Sequence, residues 1–302
     1  MTGTTPRFRL VSAFAAVYLI WGSSYLAILW GLETIPPFLL GAARFTSAGV
    51  ILYVIARTRG PIAFSRVQLL NAAIVGALLP FLGNGSLIWA QQRIPSGIAA
   101  LIVATVPLWI VVIQTLVEKV RPGAQIWTGV GVGIVGLAIL VSARTGVGGA
   151  IHLPSALLLC GGAVAWATGS IYSRRADLPK SGIASTALTM LSAGVFFSIT
   201  TLAVGEHRIF ELSEVSVRSL IGLAYLSILG SVVAYSAYIW LLQATTPARV
   251  ATYAYVNPVI AVLLGWAFAN EPISLRTSLA AAVILGAVIL ITTARQPAQQ
   301  RR

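Results

Sequence analysis

The feature that most constrains this chain is a series of ten apolar runs, most of them about twenty residues long, with short polar intervals between them. A helix of about 20 residues crosses the roughly 30 Å of hydrocarbon in a bilayer. Only 9% of the 302 residues are charged, whereas soluble domains carry about 25%. We therefore predict an all-α integral membrane protein with ten transmembrane helices. The runs cover residues 10–30, 37–56, 67–91, 95–117, 124–142, 152–173, 183–203, 216–242, 247–269 and 275–293.

The net charge of +13 would suggest nucleic-acid binding in a soluble protein, but the basic residues here follow the predicted topology. Those on the same side as the amino terminus are Arg7, Arg9, Arg57, Arg59, Arg66, Lys119, Arg121, Arg174, Arg175, Lys180, Arg249, Arg295, Arg301 and Arg302. Those on the opposite side are Arg93, Arg144, Arg208, Arg218 and Arg276. Because Lys and Arg accumulate in cytoplasmic loops, we predict that both termini are cytoplasmic. We expect no nucleic-acid partner.

The two halves of the chain share residues at matching positions. At one constant interval, Trp89, Gln92 and Pro107 recur as Trp240, Gln243 and Pro258. Allowing gaps, Trp21 matches Trp166 and Glu118 matches Glu271. The alternative is coincidence, since apolar helices draw on few residue types. With five spans in each half, the second half enters the membrane in the opposite sense, so we predict two inverted repeats. They cover about residues 8–143 and 150–295 of a single membrane domain, 1–302.

Several short motifs resemble the EamA-type members of the drug/metabolite transporter superfamily over nearly the whole chain. The motifs are Trp21-Gly-Ser-Ser-Tyr25, Pro37 followed by Arg44-Phe45, and the stretch from Pro107 to Glu118 with its copy from Pro258 to Glu271. The resemblance implies helices around a central cavity and a metabolite carrier or exporter in a bacterial inner membrane. Within the family, the overall character is most similar to YddG-type exporters of aromatic and other amino acids. The chain departs from the family at Val117-Glu118 and Asn270-Glu271, where Gly often precedes Glu.

Arg44 is the one charged residue well inside a predicted span. A guanidinium offers a fork of donors that matches a carboxylate, so Arg44 is a candidate anchor for a substrate carboxylate. The alternatives are that its side chain reaches outward to the interface or caps carbonyls of a neighbouring helix. All seven acidic residues lie in loops or at predicted helix ends. We therefore expect no exchange of protons through a buried carboxylate, and a carrier of cationic drugs is disfavoured.

Aromatic and polar residues within the spans extend the candidate site. Trp21 and Trp166 occupy matching positions near mid-membrane, where an aromatic substrate could stack on them; packing between helices is the alternative. An amide exposed to lipid is costly, so Asn84 and Asn257 should face the interior. The full set of candidate substrate-binding residues is Trp21, Ser24, Arg44, Asn84, Thr105, Trp109, Trp166, Ser170, Tyr235, Tyr238, Tyr253 and Asn257.

Two prolines, Pro107 and Pro258, lie at matching positions in mid-span. Proline removes a backbone hydrogen bond and clashes with the preceding helical turn. Such breaks are tolerated in a membrane where the freed carbonyls face protein or a cavity. We predict a kink or hinge at each proline.

The sequence carries no pattern for catalysis or metal binding. His152 and His207 lie far apart and have no carboxylate or cysteine at ligand spacing, and the one cysteine, Cys160, sits in an apolar run. We expect no enzyme activity, no cofactor and no metal. The expected partners are a small-molecule substrate and the lipid bilayer. The sequence leaves the oligomeric state open, with a monomer as the simplest expectation.

These observations favour a carrier of neutral or aromatic amino acids. We expect it to work by alternating access around a site between the repeats. Carriers of sugar phosphates, nucleotide sugars or drug-like cations are the alternatives within transport. Phosphate-bearing substrates need several cationic groups, and the spans offer one. Outside transport, the alternatives are a membrane-embedded lipid enzyme and a channel.

Overall fold

The computed structural model of the chain describes residues 7–118, 122–141, 144–145, 149–245, 250 and 252–293. By length and composition, seven helices within these residues can cross a membrane, and three shorter apolar helices accompany them. The helical membrane class predicted from the sequence is therefore confirmed. The helices are α1 (Arg7–Gly31), α2 (Pro37–Thr58), α3 (Arg66–Ala90), α4 (Ser96–Val103 and Val106–Glu118), α5 (Ala124–Val141), α6 (Leu153–Ser173), α7 (Gly182–Val204), α8 (Val217–Ala224, Tyr225–Ala234 and Tyr235–Ala244), α9 (Tyr253–Ala269) and α10 (Leu275–Thr293).

The connections between helices are short. A helical turn, Glu206–Ile209, and a 3-10 turn, Leu212–Glu214, lie between α7 and α8. Two-residue strands, β1 (Arg144–Thr145) and β2 (Gly149–Ala150), pair antiparallel before α6. Part of the topology prediction falls outside the described residues. The basic residues concerned are Lys119, Arg121, Arg249, Arg295, Arg301 and Arg302.

Local sequence signals explain where several helices begin and end. Pro37 begins α2, where a missing N–H costs nothing. The Ser65 hydroxyl accepts from the Gln68 N–H at 3.1 Å, and the Gln68 side chain accepts from the Ser65 N–H, which completes a capping box before α3. Asn270 ends α9 with φ 53°. Asparagine tolerates this left-handed conformation better than most residues, so the helix ends here as it would with glycine.

The helices pack in pairs that involve both halves of the chain. Helix α2 packs along α7, and α5 packs along α10. Helix α1 contacts α8 and α9, while α6 contacts α3 and α4. Helices α3 and α6 approach so closely that a Cβ on Gly162 would lie 1.7 Å from Ser86 Oγ. Glycine is therefore required at this crossing.

Two helices contain a stretch with wider, π-helical turns, which the sequence did not predict. In α3 this stretch is Ala77–Asn84 and includes Pro80. In α8 it is Tyr225–Ala234, which contains no proline. Wider turns of this kind rotate the following side chains and release carbonyls from the regular pattern, and they are frequent at functional sites. Both stretches face the cavity described below.

The predicted kink at Pro107 coincides with an interruption of α4. Ala104 and Thr105 form a turn between its two segments, and Pro107 is the second residue of the second segment, Val106–Glu118. Pro258 lies inside α9, five residues after its first residue, Tyr253. Whether either proline acts as a hinge stays a prediction.

The outer surface of the bundle is apolar. Leu116, Leu157 and Leu202 are more than 60% exposed, and Trp266 is 60% exposed. Such a surface would aggregate in water. In a bilayer these side chains contact lipid, and the exposed Trp266 near the end of α9 has the placement of an interfacial anchor.

Candidate substrate-binding cavity

A cavity of about 800 Å³, including the part that opens to solvent, lies among α1, α2, α3, α4, α6, α7, α8 and α9. Eight of the twelve candidate residues from the sequence line it. They are Trp21, Ser24, Arg44, Asn84, Trp166, Tyr235, Tyr253 and Asn257. The structure therefore brings together residues from six helices that are far apart in sequence.

Arg44 is the charged residue of the cavity lining. It lies seven residues into α2, about 10 Å from the helix start, and its side chain is 4% exposed. Its Nε donates to Ser231 Oγ at 3.0 Å, and its guanidinium carbon lies 4.7 Å from the centre of the Phe45 ring. Nη1 is buried and has no hydrogen-bond partner. The side chain therefore does not reach the interface, and it keeps donor capacity inside the protein.

Gly230 and Ser24 complete the surroundings of the guanidinium. A Cβ on Gly230 would lie 3.5 Å from Arg44 Nη2 and 3.4 Å from Ser24 Oγ. The Gly230 carbonyl, in the wide turn of α8, accepts from Trp21 Nε1 at 3.1 Å. We call Arg44, Ser24, Gly230 and Ser231 the cationic end of the cavity. Gly230 thus contacts both this end of the cavity and the Trp21 ring.

Trp21 is the centre of a group of aromatic rings, which we call the aromatic end. The edge of one indole meets the face of the other where Trp21 and Trp166 pack, with centroids 6.3 Å apart and planes at 88°. Trp21 lies 5.0 Å from Tyr238, 5.4 Å from Tyr253 and 6.4 Å from Tyr235. Tilted and edge-on contacts of this kind are favourable for aromatic pairs. A planar or apolar group entering the cavity meets a wall of rings here.

Asn257 lines the cavity and also joins two helices. Oriented with its amide nitrogen toward two carbonyls, it donates to Tyr18 O and Tyr253 O, each 3.2 Å away. Nearby, the Tyr18 and Thr252 hydroxyls are 2.5 Å apart. The amide at position 257 therefore ties α9 to α1, which satisfies the expectation that it faces the interior.

Four predicted site residues do not line the cavity. Thr105 is buried, and its hydroxyl donates to Ile102 O and accepts from Trp109 Nε1. The turn at 104–105 thus directs both side chains away from the cavity. Trp109 packs on Ala163 and Ala167 of α6. Ser170 donates to the Trp166 carbonyl of its own helix. Tyr238 is 7% exposed and lies behind Trp21, in a cluster with Val17, Leu241 and Val250.

Several cavity residues escaped the sequence prediction. Apart from Tyr25, they are apolar or lack a side chain; the set is Tyr25, Ile28, Phe45, Pro80, Gly83, Leu87, Val103, Val106, Gly162, Ala163, Met190 and Gly230. Ser231 also lines the cavity, and its spacing of four residues from Tyr235 favours one shared face of a regular helix. Pro80 was the available signal for the wide turn of α3, and its effect depends on the surrounding packing.

At one end of the bundle, two carboxylates bind helix amino termini. Glu206 accepts from the backbone N–H groups of Phe38 and Leu39 at 3.2 and 2.8 Å. Glu271 accepts from the N–H groups of Ser96 and Gly97 and from the Ser96 hydroxyl. Carboxylates at these positions satisfy orphan donors and favour the helix dipole. Burial raises the pKa of Glu206, although the two N–H groups favour its ionised form.

Comparison with known proteins gives a consistent family match. The model of the EamA-like transporter family matches the chain twice, over residues 9–142 and 153–293. A crystal structure shares the fold with a TM-score of 0.66, covering 95% of this chain and 96% of that chain at 21% identity.

Three relatives cover most of the chain. An uncharacterized inner membrane transporter, YedA of Escherichia coli strain K12, is 38% identical over 95% of this chain and 92% of its own length. Protein PecM of Dickeya dadantii is 24% identical over 90% and 88%. A "Probable amino-acid metabolite efflux pump" of Salmonella typhimurium is 24% identical over 82% and 85%.

Proposed function

The chain belongs to the EamA-like transporter family, and we propose that it exports small carboxylate-bearing metabolites with an aromatic or apolar part. Neutral and aromatic amino acids, the substrates predicted from the sequence, belong to this class. The observation that carries the proposal is Arg44, a buried cation with an unpartnered nitrogen at a cavity whose other wall is aromatic. The name of the Salmonella relative as an amino-acid metabolite efflux pump supports this substrate class.

The geometry suits a carboxylate at the cationic end. Ser231 holds Nε of Arg44, so the guanidinium is oriented before a substrate arrives. Charged hydrogen bonds to a planar carboxylate are stronger than neutral ones. A buried cation without a partner carries a desolvation penalty, which a bound anion relieves. The binding free energy at this end therefore comes both from the hydrogen bonds to the carboxylate and from removal of the desolvation penalty of Arg44.

The aromatic end suits the remainder of the substrate. Trp21, Trp166 and Tyr253 present ring faces and edges together with the Tyr hydroxyl. Ring stacking contributes about 0.5 to 1.5 kcal/mol beyond area burial. Because the same faces attract cations, they also offer a place for the ammonium group of an amino acid.

We further propose that ten spans form two inverted repeats that move against each other in alternating access. The double match of the family model supports this arrangement. So does the packing, since α2 pairs with α7 and α5 with α10. The two wide turns also occupy matching places in the two halves. Shifted by the interval between Trp89 and Trp240, the stretch Ala77–Asn84 falls on residues 228–235, and these overlap the second wide turn, Tyr225–Ala234.

The membrane is proposed to be the bacterial inner membrane, with both termini in the cytoplasm. The inner-membrane description of YedA supports the location. The orientation rests on the distribution of Lys and Arg. A cysteine at position 59 that is labelled from outside intact cells would show that the orientation is reversed.

The alternatives predict different flux. Saturable, competitive transport in proteoliposomes indicates a carrier, unsaturated flux a channel, and chemical change of the solute a lipid or other enzyme. The test uses labelled phenylalanine with a competition panel of amino acids, a sugar phosphate, a nucleotide sugar and an organic cation. We expect saturable uptake that aromatic and neutral amino acids inhibit. If only the sugar phosphate or only the organic cation inhibits uptake, the proposed substrate class is wrong.

A further inference from the structure

The charges around the cavity are unbalanced. Arg44 contributes a positive charge, and the described lining contains no acidic residue. The whole sequence contains seven acidic residues, and none lies in the interior of a predicted span. The carboxylates of Glu206 and Glu271 are already bonded to the starts of α2 and α4. A ligand in the cavity therefore meets a cation without a compensating carboxylate.

This imbalance affects the two charged groups of an amino acid differently. The carboxylate gains a charged partner in Arg44, whose Nη1 has a free donor. The ammonium group loses water and finds only neutral partners, such as ring faces, hydroxyls and the Asn84 amide. It is also repelled by Arg44 within the same small cavity. Replacing the ammonium by a neutral group removes both costs and keeps the carboxylate contact.

From this geometry we infer that the cavity prefers aromatic or apolar monocarboxylates without an ammonium group over the zwitterion of the same skeleton. The class includes 2-hydroxy acids, 2-oxo acids and N-acylated amino acids. This inference rests on the proposed function of carboxylate export. It assigns the preferred charge state of the substrate, a single negative charge.

The charge state determines what drives transport. A zwitterion crosses the membrane without moving net charge, whereas a monoanion moves one negative charge in each cycle. Bacterial cells are negative inside, so the potential itself drives an anion outward. A potential of about 60 mV corresponds to an approximately tenfold difference in the equilibrium concentrations of a monoanion. Export then needs no proton carrier, consistent with the absence of acidic residues from the spans.

The experiment compares isosteric substrates in proteoliposomes. Phenylalanine and 3-phenyllactate differ by an ammonium group against a hydroxyl, and phenylalaninamide supplies the corresponding cation. Vesicles are loaded with each labelled compound, and a potassium gradient with valinomycin sets the potential. Protein-free vesicles correct for passive leakage of the acid.

We expect phenyllactate to half-saturate efflux at a concentration at least about tenfold lower than phenylalanine. Its initial efflux should accelerate when the interior is negative and slow when it is positive. Phenylalanine efflux should not respond to the potential, and phenylalaninamide should be carried at least about tenfold less efficiently than phenylalanine. If phenylalanine half-saturates efflux at the same concentration as phenyllactate or a lower one, the inferred preference is wrong. Phenyllactate efflux that ignores the potential would overturn the proposed driving force.

If the broader proposal of carboxylate export is wrong, the outcome is different, because then neither phenylalanine nor phenyllactate shows saturable flux.

Two variants connect the result to Arg44. Arg44→Gln removes a buried unpaired charge, so it should fold, and it should reduce the tenfold preference to about twofold or less. Gly230→Ala places a methyl group 3.5 Å from Nη2, an ordinary contact distance, and should weaken phenyllactate more than phenylalaninamide. An unchanged preference in both variants would remove Arg44 from its recognition.

Discussion

The cationic and aromatic ends of the cavity are built from adjacent residues but by different physical means. At the cationic end, one guanidinium is fixed by one hydroxyl, and a nitrogen remains free. At the aromatic end, several rings support one another, and Trp21 Nε1 is already bonded to Gly230. A charge acts through a few directional bonds and is sensitive to a single change. A group of packed rings acts through contact area, so each ring contributes only a fraction of the binding free energy at that end.

The comparison predicts its largest effect at Arg44. Arg44→Gln removes a charged hydrogen bond to a carboxylate, which contributes about 1.5–3 kcal/mol, so kcat/KM for an aromatic carboxylate should fall roughly tenfold to a hundredfold. The measurement is initial flux per folded transporter. Arg218→Gln is the matched control, since Arg218 pairs with Glu33 at the exposed end of α8. Equal losses in both variants would mean that the cationic end has no special role.

The aromatic end should respond less strongly to each substitution. Trp21→Ala or Trp166→Ala should weaken binding about threefold to tenfold, the value of a stacking contact. Trp266→Ala, at an exposed position, is the control. Because loss of a buried ring also leaves a cavity, flux is paired with surface abundance and with substrate-dependent tryptophan quenching. Normal quenching and transport in a folded double variant would leave only a packing role.

Ser231 should have a smaller effect, which acts through Arg44. Ser231→Ala frees Nε and lets the guanidinium move, so KM for a carboxylate should rise about threefold, the value of one hydrogen bond. Use of the corresponding amide should change little. Ser231→Thr restores the hydroxyl and should recover most of the loss. If carboxylate and amide are affected equally, Ser231 supports the helix and does not position Arg44.

A pH gradient should have the smallest effect, because neither end contains an acidic residue among the described lining. An imposed pH gradient alone, with the potential clamped, should not produce concentrative uptake of a neutral amino acid. The measurement is accumulation ratio in proteoliposomes, with and without a protonophore. Accumulation that a protonophore abolishes would show proton coupling through a group outside both ends.

The helical part of the fold could be read from the sequence because lipid leaves few alternatives. A backbone in hydrocarbon must satisfy its own hydrogen bonds, so a long apolar run becomes a helix. The runs at 10–30 and 183–203, for example, are matched by Arg7–Gly31 and Gly182–Val204. Polar residues inside the apolar runs indicated the cavity lining for the same reason. Arg44, Asn84 and Asn257 avoid lipid, and all three line the cavity.

The sequence alone thus determined the helices, the membrane class and much of the cavity's polar lining, since burying polarity in lipid is costly wherever it occurs. Only the tertiary structure decided which side of each helix faces the cavity. Wide turns at Ala77–Asn84 and Tyr225–Ala234 rotate α3 and α8, one with a proline and one without. They bring Gly230 to Trp21 and Ser231 to Arg44, while Thr105 and Trp109 turn toward each other. These orientations depend on contacts between distant segments, which spacing along one helix does not encode.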